Sequence, residues 1–275
     1  MGDEKSMKVM ILTIYDPIPN FGNKLQNYAV QECLEKYSNE VTTAVYAMNM
    51  WESSVMTRIK FYLHRIIGFT GIGNKEYWEF KAGKMRSFAS FNKKYLKTEY
   101  VDTIDGLDAK ADYFAVGSDQ VWNPLWYQYD PIKKDLFLLT FCQNHKKVCI
   151  SPSFGIGELP EKCRSAFARY ISEIPNLSVR EEAGKRIIKT LTDKEAEVLI
   201  DPTLMLSKTD WDKISKRPKF YDGKCKYVLT YFWGEKPELA AAELDRLKNV
   251  DMRNIILWIC LSRKYTAAIL RILYI

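Results

Sequence analysis

Short apolar runs rich in β-branched residues alternate with amphipathic segments along most of this chain. The first run, KVMILTI at residues 8–14, leads into the breaker cluster DPIPNFGN, and KLQNYAVQECLEKY follows with apolar residues at helical spacing. EVTTAVYAM then supplies a second strand, which predicts a β-α-β crossover. This alternation indicates an α/β fold of the Rossmann-like kind, with a mostly parallel sheet and helices on both faces.

The same alternation continues to about residue 250 and predicts the domain organisation. Further strands are predicted at ADYFAVGS, KKVCISPSFG, LSVR and AEVLIDPTLML, and helices at LPEKCRSAFARYISEI, EEAGKRIIKTL and the capped KTDWDKISKR. Residues 51–98 predict two or three helices. We expect an N-terminal Rossmann-like domain at 1–222, the start of a second β-α domain at 223–250, and an atypical tail at 251–275.

Composition and charge exclude several classes of protein. The chain is 47% hydrophobic and 27% charged, which is typical of globular proteins and excludes disordered and fibrous ones. Arg253, Arg263, Lys264 and Arg271 supply more than half of the net charge of +7, and no basic block with interleaved aromatics precedes them, so we expect no nucleic-acid partner. No run reaches the ~20 apolar residues that a membrane span needs, so we expect no transmembrane segment.

The cysteines and the N-terminus indicate a cytoplasmic protein without a metal site. The six cysteines are scattered, which is typical of reduced thiols. Cys142, His145 and Cys149 lie close in sequence, but a structural zinc site needs a fourth ligand and none is nearby. The start, MGDEKSMKVMILTIY, carries two acids where a signal peptide is basic, so export is not expected.

Polar residues follow the first strand, at the edge of the sheet where α/β proteins bind ligands. In NFGNKLQNYAV, Gly22 allows a ligand to approach the backbone, while Asn20, Asn23, Gln26 and Asn27 place amides around a helix N-terminus. The free N–H groups of such a terminus suit a phosphate or a carboxylate. An Asn-rich capping turn explains this stretch equally well when it is taken alone.

A second polar run, GSDQVWNP, follows the strand DYFAV and predicts a loop at the same edge. Its candidate ligand-binding residues are Gly117, Ser118, Asp119, Trp122 and Asn123. Asp119 would act as a base or accept a hydrogen bond from a sugar hydroxyl, and Trp122 would stack on a sugar. Alternatively, Asp119 caps the following helix.

Arg180 and Asp201 complete the set of candidate residues. Arg180 lies at a strand-to-helix junction in SVREEAG, where its guanidinium would bind a carboxylate or phosphate by two points or pair with Glu181 or another acid. Asp201 in LIDPT is a candidate ligand contact or a turn residue. His64 and His145 have no serine or cysteine partner in a recognisable nucleophile motif, so no hydrolase is indicated.

Taken in order, NFGNKLQNYAV, DYFAVGSDQVWNP, ISPSFG, LSVREEAG and VLIDPTLML resemble the polysaccharide pyruvyl transferases over residues 8–235. The resemblance implies a glycosyltransferase-B-like pair of Rossmann-like domains and the transfer of pyruvate from phosphoenolpyruvate onto two sugar hydroxyls as a ketal. It implies phosphoenolpyruvate as co-substrate with no other cofactor, and a saccharide or lipid-linked oligosaccharide as acceptor. The setting would be cell-surface polysaccharide or capsule assembly in the cytoplasm, at the inner face of the membrane through the acceptor.

The resemblance also implies roles for residues. Arg180 would hold the anionic donor and act with Asp119 in catalysis, while the segments Asn20–Asn27 and Gly117–Asn123 would form the cleft. The family carries an Asp-Ser-Phe-His-Gly-like segment whose histidine serves as acid/base. This chain has no such segment, and neither His64 nor His145 matches it.

The tail after about Val250 departs from the composition of the rest of the chain. We expect an out-of-frame readout there, which would truncate the second domain and leave the chain inactive on its own. The alternative is a native terminal strand, NIILWICL, followed by the helix KYTAAILRILYI. Two functions other than pyruvyl transfer remain open from the sequence: a non-catalytic sugar- or anion-binding module, and a glycosyltransferase that uses a nucleotide sugar.

Overall fold

A computed structural model describes residues 7–15, 20–46, 75–126, 130–217, 227–233, 238–248 and 253–259. The strands are β1 (Lys8–Leu12), β2 (Glu40–Tyr46), β3 (Thr98–Val101), β4 (Tyr113–Gly117), β5 (Lys147–Ile150), β6 (Ser178–Val179), β7 (Glu197–Val198), β8 (Tyr227–Trp233) and β9 (Arg253–Ile259). The helices are α1 (Phe21–Leu34), α2 (Lys75–Tyr95), α3 (Pro131–Phe137), α4 (Glu161–Ser172), α5 (Glu182–Thr192), α6 (Lys208–Asp212) and α7 (Glu238–Lys248). The chain divides into two compact units, Met1–Arg65 with Ala82–Lys213, and Ile66–Lys81 with Ile214–Ile275.

The main sheet of the first unit has five parallel strands in the order β3-β2-β1-β4-β5. Ile11 of β1 lies between Thr43 of β2 and Ala115 of β4. The chain adds strands on one side of β1 and then crosses to the other side, so the strand order reverses between β1 and β4. The predicted parallel α/β sheet is confirmed, and its reversal point lies beside the two polar runs that follow these strands.

Alternate residues of β1 are buried on opposite faces of the sheet, as a parallel sheet with helices on both sides requires. Val9 and Ile11 pack in a small cluster with Val30 of α1. Met10 and Leu12 belong to the larger cluster, together with the buried side chains of α3, α4 and α5. Full burial of a side chain of this size contributes about 1.5–3 kcal/mol, so both faces of β1 stabilise the unit.

The strands β6 and β7 form a separate two-stranded parallel sheet, and β6 lies beside β5. Ser178 in β6 donates from Oγ to the carbonyl of Cys149 at 3.0 Å and accepts from the amide of Ser151 at 3.1 Å. The amide of Arg180 then donates to the carbonyl of Pro152 at 3.2 Å. Later residues of the β6 segment thus contact later residues of the β5 segment, so the two strands run parallel. The end of β6 therefore lies at the same edge as the carboxyl end of β5.

The second unit contains a β-α-β arrangement. Strands β8 and β9 are parallel, with Tyr227 opposite Arg253 and Trp233 opposite Ile259, and α7 connects them in sequence. Strand β9 matches the native-strand alternative for the tail, while the proposed helix KYTAAILRILYI lies outside the described residues. The domain boundary expected after residue 222 falls within 218–226, which the structure does not describe.

One helix prediction is confirmed in detail and another in part. Helix α6 carries a complete capping box, in which Ser207 accepts from the amide of Asp210 and the Asp210 carboxylate accepts from the amide of Ser207. Helix α2 accounts for residues 75–95 of the helical region predicted at 51–98. The preceding part of that region, including His64, lies outside the described residues.

Gly117, at the end of β4, is required by its surroundings. Its φ of 118° lies in a region that side-chain-bearing residues rarely adopt, and an added Cβ would lie 2.2 Å from the carbonyl oxygen of Ile150. Glycine is therefore needed at this position because the backbones of β4 and β5 lie close together. The expected contact of Gly117 with a ligand stays a prediction beside this structural role.

We predict that Gly117→Ala lowers the free energy of unfolding by about 3 kcal/mol or more, because strain and overlap with the β5 backbone add. Urea denaturation measures the change. Gly157→Ala is the matched control, since a Cβ there meets nothing within 4 Å. Equal stability of the two variants would contradict the close packing at Gly117.

Candidate functional site

The ends of β1 and β4 meet at the reversal point and form one side of a polar crevice. Thr13, directly after β1, donates from Oγ1 to the carbonyl of Ser118 at 3.1 Å. Ser118 is itself buried and donates from Oγ to the carbonyl of Ser151 at 2.9 Å. The loops after β1, β4 and β5 are thereby joined side by side.

Helix α1 begins over this junction. Asn20 caps the helix, because its Oδ1 accepts from the amide of Asn23 at 3.2 Å. Asn23 is buried, and its Nδ2 donates to the carbonyl of Ile14 and to Oδ2 of Asp119 at 3.1 Å. The capping interpretation of the Asn-rich segment is therefore confirmed, and the cap also ties α1 to the loop after β4.

Asp119 is the residue of the β4 loop whose carboxylate remains beside the crevice. Its backbone is left-handed, with φ of 71°, and its carbonyl accepts from the amide of Ser153 at 2.8 Å. Its Oδ1 accepts from the amide of Gln120 at 2.8 Å, so one oxygen bonds to the loop and the other to Asn23. The side chain is thus held in a single orientation at the ends of β1 and β4.

Trp122 does not face the crevice, contrary to expectation. It is fully buried, donates from Nε1 to the carbonyl of Phe137 at 3.0 Å and packs against Phe154 with ring centroids 5.3 Å apart. A sugar cannot reach a side chain in this position. Asn123 is also buried, and its Oδ1 accepts from the amide of Leu125, which caps the short 3-10 helix Pro124–Trp126. Both residues shape the loop.

Asn27 is likewise directed away from the crevice. It is buried, and its Oδ1 accepts from Oγ1 of Thr43 in β2 at 2.8 Å. It therefore connects α1 to the sheet, which corrects the expectation that its amide lines a ligand site. Gly22 is exposed and an added Cβ would have only Asn20 Oδ1 nearby at 3.5 Å, so no protein contact requires glycine there.

Asp201 joins three segments that are far apart in sequence. Its Oδ2 accepts from Nη1 of Arg180 at 3.1 Å and from Nε2 of Gln26. Its Oδ1 accepts from the amide and the hydroxyl of Thr203 at 3.0 and 2.8 Å. The ion-pair alternative for Arg180 is therefore observed, with Asp201 as the main partner and Glu181 at 3.9 Å.

The same contacts keep the Asp201 carboxyl ionised. Burial acts to raise the pKa of Asp201, but the hydrogen bonds from Thr203 and Gln26 and the charge of Arg180 outweigh it, so the pKa lies below its ordinary value. A carboxylate with four donors around it is well suited to hold the neighbouring side chains in place.

Glu181 links two further segments. Its Oε1 accepts from Oγ of Ser153 at 3.0 Å and from the amide of Phe154 at 2.9 Å. The loop after β5 is thereby bound to the end of β6. Sequence reasoning treated Glu181 only as a partner for Arg180, because the contact with Ser153 depends on how the two loops meet.

Lys24 is a buried cation that sequence reasoning did not identify. It lies in the first turns of α1, and its ammonium is 3.6 Å from the centroid of the Tyr15 ring. Burial raises the pKa of Tyr15, and Tyr100 adds to this. Lysine is usually exposed, so residue type alone would place Lys24 at the surface. Its position directly after the Asn-rich cap was the only signal in the sequence.

A cavity of about 390 Å³ opens between α1 and the segment after β7. Its lining residues are Gly22, Leu25, Gln26, Asp201, Thr203 and Trp211. The indole N–H of Trp211 donates to the carbonyl of Thr203 at 3.2 Å. Three of the residues predicted from sequence, Gly22, Gln26 and Asp201, are therefore brought together at the wall of one cavity.

The described residues contain no group of His, Cys, Asp and Glu side chains that could hold a metal ion. His145 is exposed in the short helix Asn144–Lys146 directly before β5, at the edge of the sheet opposite the crevice. No helix in the described part of the chain is both long and apolar enough to cross a membrane.

The strand order and the polar crevice at the carboxyl ends of β1 and β4 define a Rossmann-like α/β protein, and its reversal point is where sheets of this class commonly bind ligands. The model of the polysaccharide pyruvyl transferase family matches residues 20–270, so the chain belongs to this family. A search of curated proteins found no match to the chain.

The match changes the interpretation of the tail. The resemblance was expected to end near residue 235, whereas the family match continues to residue 270 and covers most of the chain. It thus includes β9 and most of the segment after Asp251. A segment read in the wrong frame would not be expected to match the family, so the out-of-frame interpretation is not supported.

We predict that Asp201→Asn lowers the free energy of unfolding at pH 7 by about 1–3 kcal/mol, since it weakens hydrogen bonds to a charged group. The folded-state pKa of Asp201 is lowered, so its stabilisation is present above the unfolded-state pKa of about 3.9 and is lost as pH falls through the folded-state value. The deficit of the variant should therefore shrink below about pH 4.

Urea unfolding at pH 7, 5 and 3 measures this deficit. Asp102→Asn, at an exposed position, is the matched control and should show little change. A deficit for Asp201→Asn that is the same at pH 3 and pH 7 would contradict the electrostatic account and indicate a packing effect.

Proposed function

We propose that this protein transfers pyruvate from phosphoenolpyruvate onto two hydroxyls of a saccharide as a ketal, in the assembly of a cell-surface polysaccharide. The observation that carries the proposal is the convergence of five polar segments at one edge of the sheet. Asn23 contacts Asp119, Gln26 and Arg180 contact Asp201, and Glu181 contacts Ser153. Family membership supplies the class of reaction.

The reaction requires three kinds of group. A proton is added to the methylene carbon of phosphoenolpyruvate, one sugar hydroxyl adds to the adjacent carbon, and a second hydroxyl displaces phosphate to close the ketal. An acid supplies the proton, a base accepts protons from the hydroxyls, and cations hold the phosphate and carboxylate. The products are the pyruvate ketal and inorganic phosphate, so the atoms balance without a redox cofactor.

Asp119 is the residue that we assign as base. Its carboxylate is half-buried at the ends of β1 and β4, and its orientation is fixed by Asn23 and by the amide of Gln120. A base positioned by hydrogen bonds loses little conformational freedom when it meets an acceptor hydroxyl.

Arg180 is the residue that we assign to the anionic donor. Its Nη1 is held by Asp201, which orients the guanidinium while other N–H groups of this five-donor side chain can address a phosphate or carboxylate. The N-terminus of α1 and the buried ammonium of Lys24 add positive potential at the same edge. The charge arrangement therefore supports a substrate with two anionic groups, a phosphate and a carboxylate.

We extend the proposal to the rest of the molecule. The β-α-β arrangement of the second unit is compatible with a second Rossmann-like domain and a glycosyltransferase-B-like pair. The reaction would take place in the cytoplasm, with a lipid-linked oligosaccharide acceptor bringing the protein to the inner face of the membrane. No observation separately favours the binding module or the nucleotide-sugar transferase.

We predict that the chain releases inorganic phosphate from phosphoenolpyruvate only when an acceptor such as a β-galactoside or an N-acetylmannosaminide is present. Phosphate release and the mass of the pyruvylated sugar measure the reaction. Phosphoenolpyruvate binding without phosphate release would favour a binding module. Nucleotide release from a nucleotide sugar would identify a glycosyltransferase instead.

We predict that Arg180→Ala weakens phosphoenolpyruvate binding about 10- to 100-fold, because a two-point contact to a charged group contributes about 1.5–3 kcal/mol. Arg180→Lys should recover only part of this loss, since an ammonium lacks the planar fork. Titration calorimetry measures the affinity, and circular dichroism checks that each variant is folded.

Arg169→Ala is the matched control for this experiment. Arg169 is an exposed arginine in the last turn of α4, and its guanidinium lies over the ring of Tyr170. It should leave phosphoenolpyruvate affinity unchanged. Unchanged affinity in Arg180→Ala as well would remove Arg180 from the donor site.

A further inference from the structure

We propose that the cavity between α1 and the segment after β7 is the subsite for a sugar ring of the acceptor, with Trp211 as its stacking surface. This inference rests on the proposed action on a saccharide, and it assigns that saccharide to a particular place. The cavity volume of about 390 Å³ lies within the usual range of small-molecule sites, roughly 300–1,000 Å³.

The apolar part of the cavity is suited to the C–H face of a sugar. Trp211 is fixed on one side by its bond to the carbonyl of Thr203 and by packing against Tyr28, with ring centroids 5.8 Å apart. Leu25 is partly exposed in the same lining. An aromatic ring held in place presents a large apolar surface without further loss of side-chain freedom on binding.

The polar part of the cavity is suited to hydroxyl groups. Gln26, Asp201 and Thr203 lie together in the lining, and Gln26 bonds to Asp201 through its amide nitrogen. A glutamine side chain has a second amide hydrogen and a carbonyl oxygen, and the Thr203 oxygen can accept as well as donate. These groups offer both donors and acceptors, as a polyhydroxyl ligand requires.

The charge of the lining favours a neutral ligand over phosphoenolpyruvate. Asp201 is an ionised carboxylate in the wall of the cavity, and its pKa is lowered by its partners. An anion placed in the cavity would be repelled by this carboxylate, because Asp201 belongs to the lining and the Arg180 guanidinium does not. A neutral sugar meets no such penalty.

The position of the cavity also fits the reaction. Arg180, the proposed contact for the donor, donates to the same carboxylate that lines the cavity, at 3.1 Å. A sugar ring held against Trp211 would therefore lie next to the donor. Asp201 would act as a positioning residue that sets the spacing between the two substrates.

Saturation-transfer NMR on the whole chain tests the subsite, with methyl β-galactoside, N-acetylmannosamine and phosphoenolpyruvate as probes. We expect saturation transfer to at least one of the two sugars. Trp211→Ala should weaken the Kd for that sugar about tenfold or more. Leu25→Arg should weaken it similarly by filling the cavity, and Leu25 belongs to neither hydrophobic cluster of the first unit. Phosphoenolpyruvate affinity should stay within twofold of wild type in Trp211→Ala, and it should not fall in Leu25→Arg, which adds a positive charge near the donor.

Tyr37→Ala is the matched control, since Tyr37 is an exposed aromatic beyond the opposite end of α1. It should leave sugar binding unchanged. Sugar binding that persists in Trp211→Ala and Leu25→Arg, the absence of binding of both sugars by wild type, or a selective loss of phosphoenolpyruvate would each overturn the subsite. Pyruvyl transfer itself is judged separately, by phosphate release, so failure of the subsite and failure of the proposed function can be distinguished.

Discussion

The reversal of strand order between β1 and β4 determines where the functional groups of the first unit lie. Parallel strands all end at the same edge of a sheet, and the crossovers leave a gap where the chain changes direction. The loops after β1, β4, β5, β6 and β7 are therefore brought together, although they come from distant parts of the sequence. The topology thus places a crevice at this edge, and the side chains of the loops make its walls polar.

The polar side chains in this crevice bind mainly to one another. Asp201, Asp119 and Glu181 each accept hydrogen bonds from a different segment, so carboxylates join the loops in addition to the apolar packing of Trp122 against Phe154. Buried polar groups require such partners, because an unpaired one costs about 1–3 kcal/mol. The network also fixes the positions of Arg180 and Asp119 in advance, which is the arrangement that a site for charged substrates needs.

Sequence reasoning predicted the fold more fully than the site. Strand and helix periodicity, the breaker clusters and the Ser207 cap were local signals, and they led to the correct parallel sheet and short helices. The pairing of Gln26 with Asp201 spans 175 residues, and that of Asn23 with Asp119 spans 96, so neither could be read from spacing. Trp122 was misassigned because its polar neighbours suggested exposure, whereas its indole N–H is satisfied inside the core.

The central claim is that donor and acceptor meet at the carboxyl edge of the main sheet. A crystal structure of the chain with phosphoenolpyruvate and methyl β-galactoside tests it most directly. The account predicts the phosphate and carboxylate beside Arg180 and the start of α1, with the sugar ring against Trp211. Both ligands bound away from these residues, for example at the edge that carries His145, would contradict it.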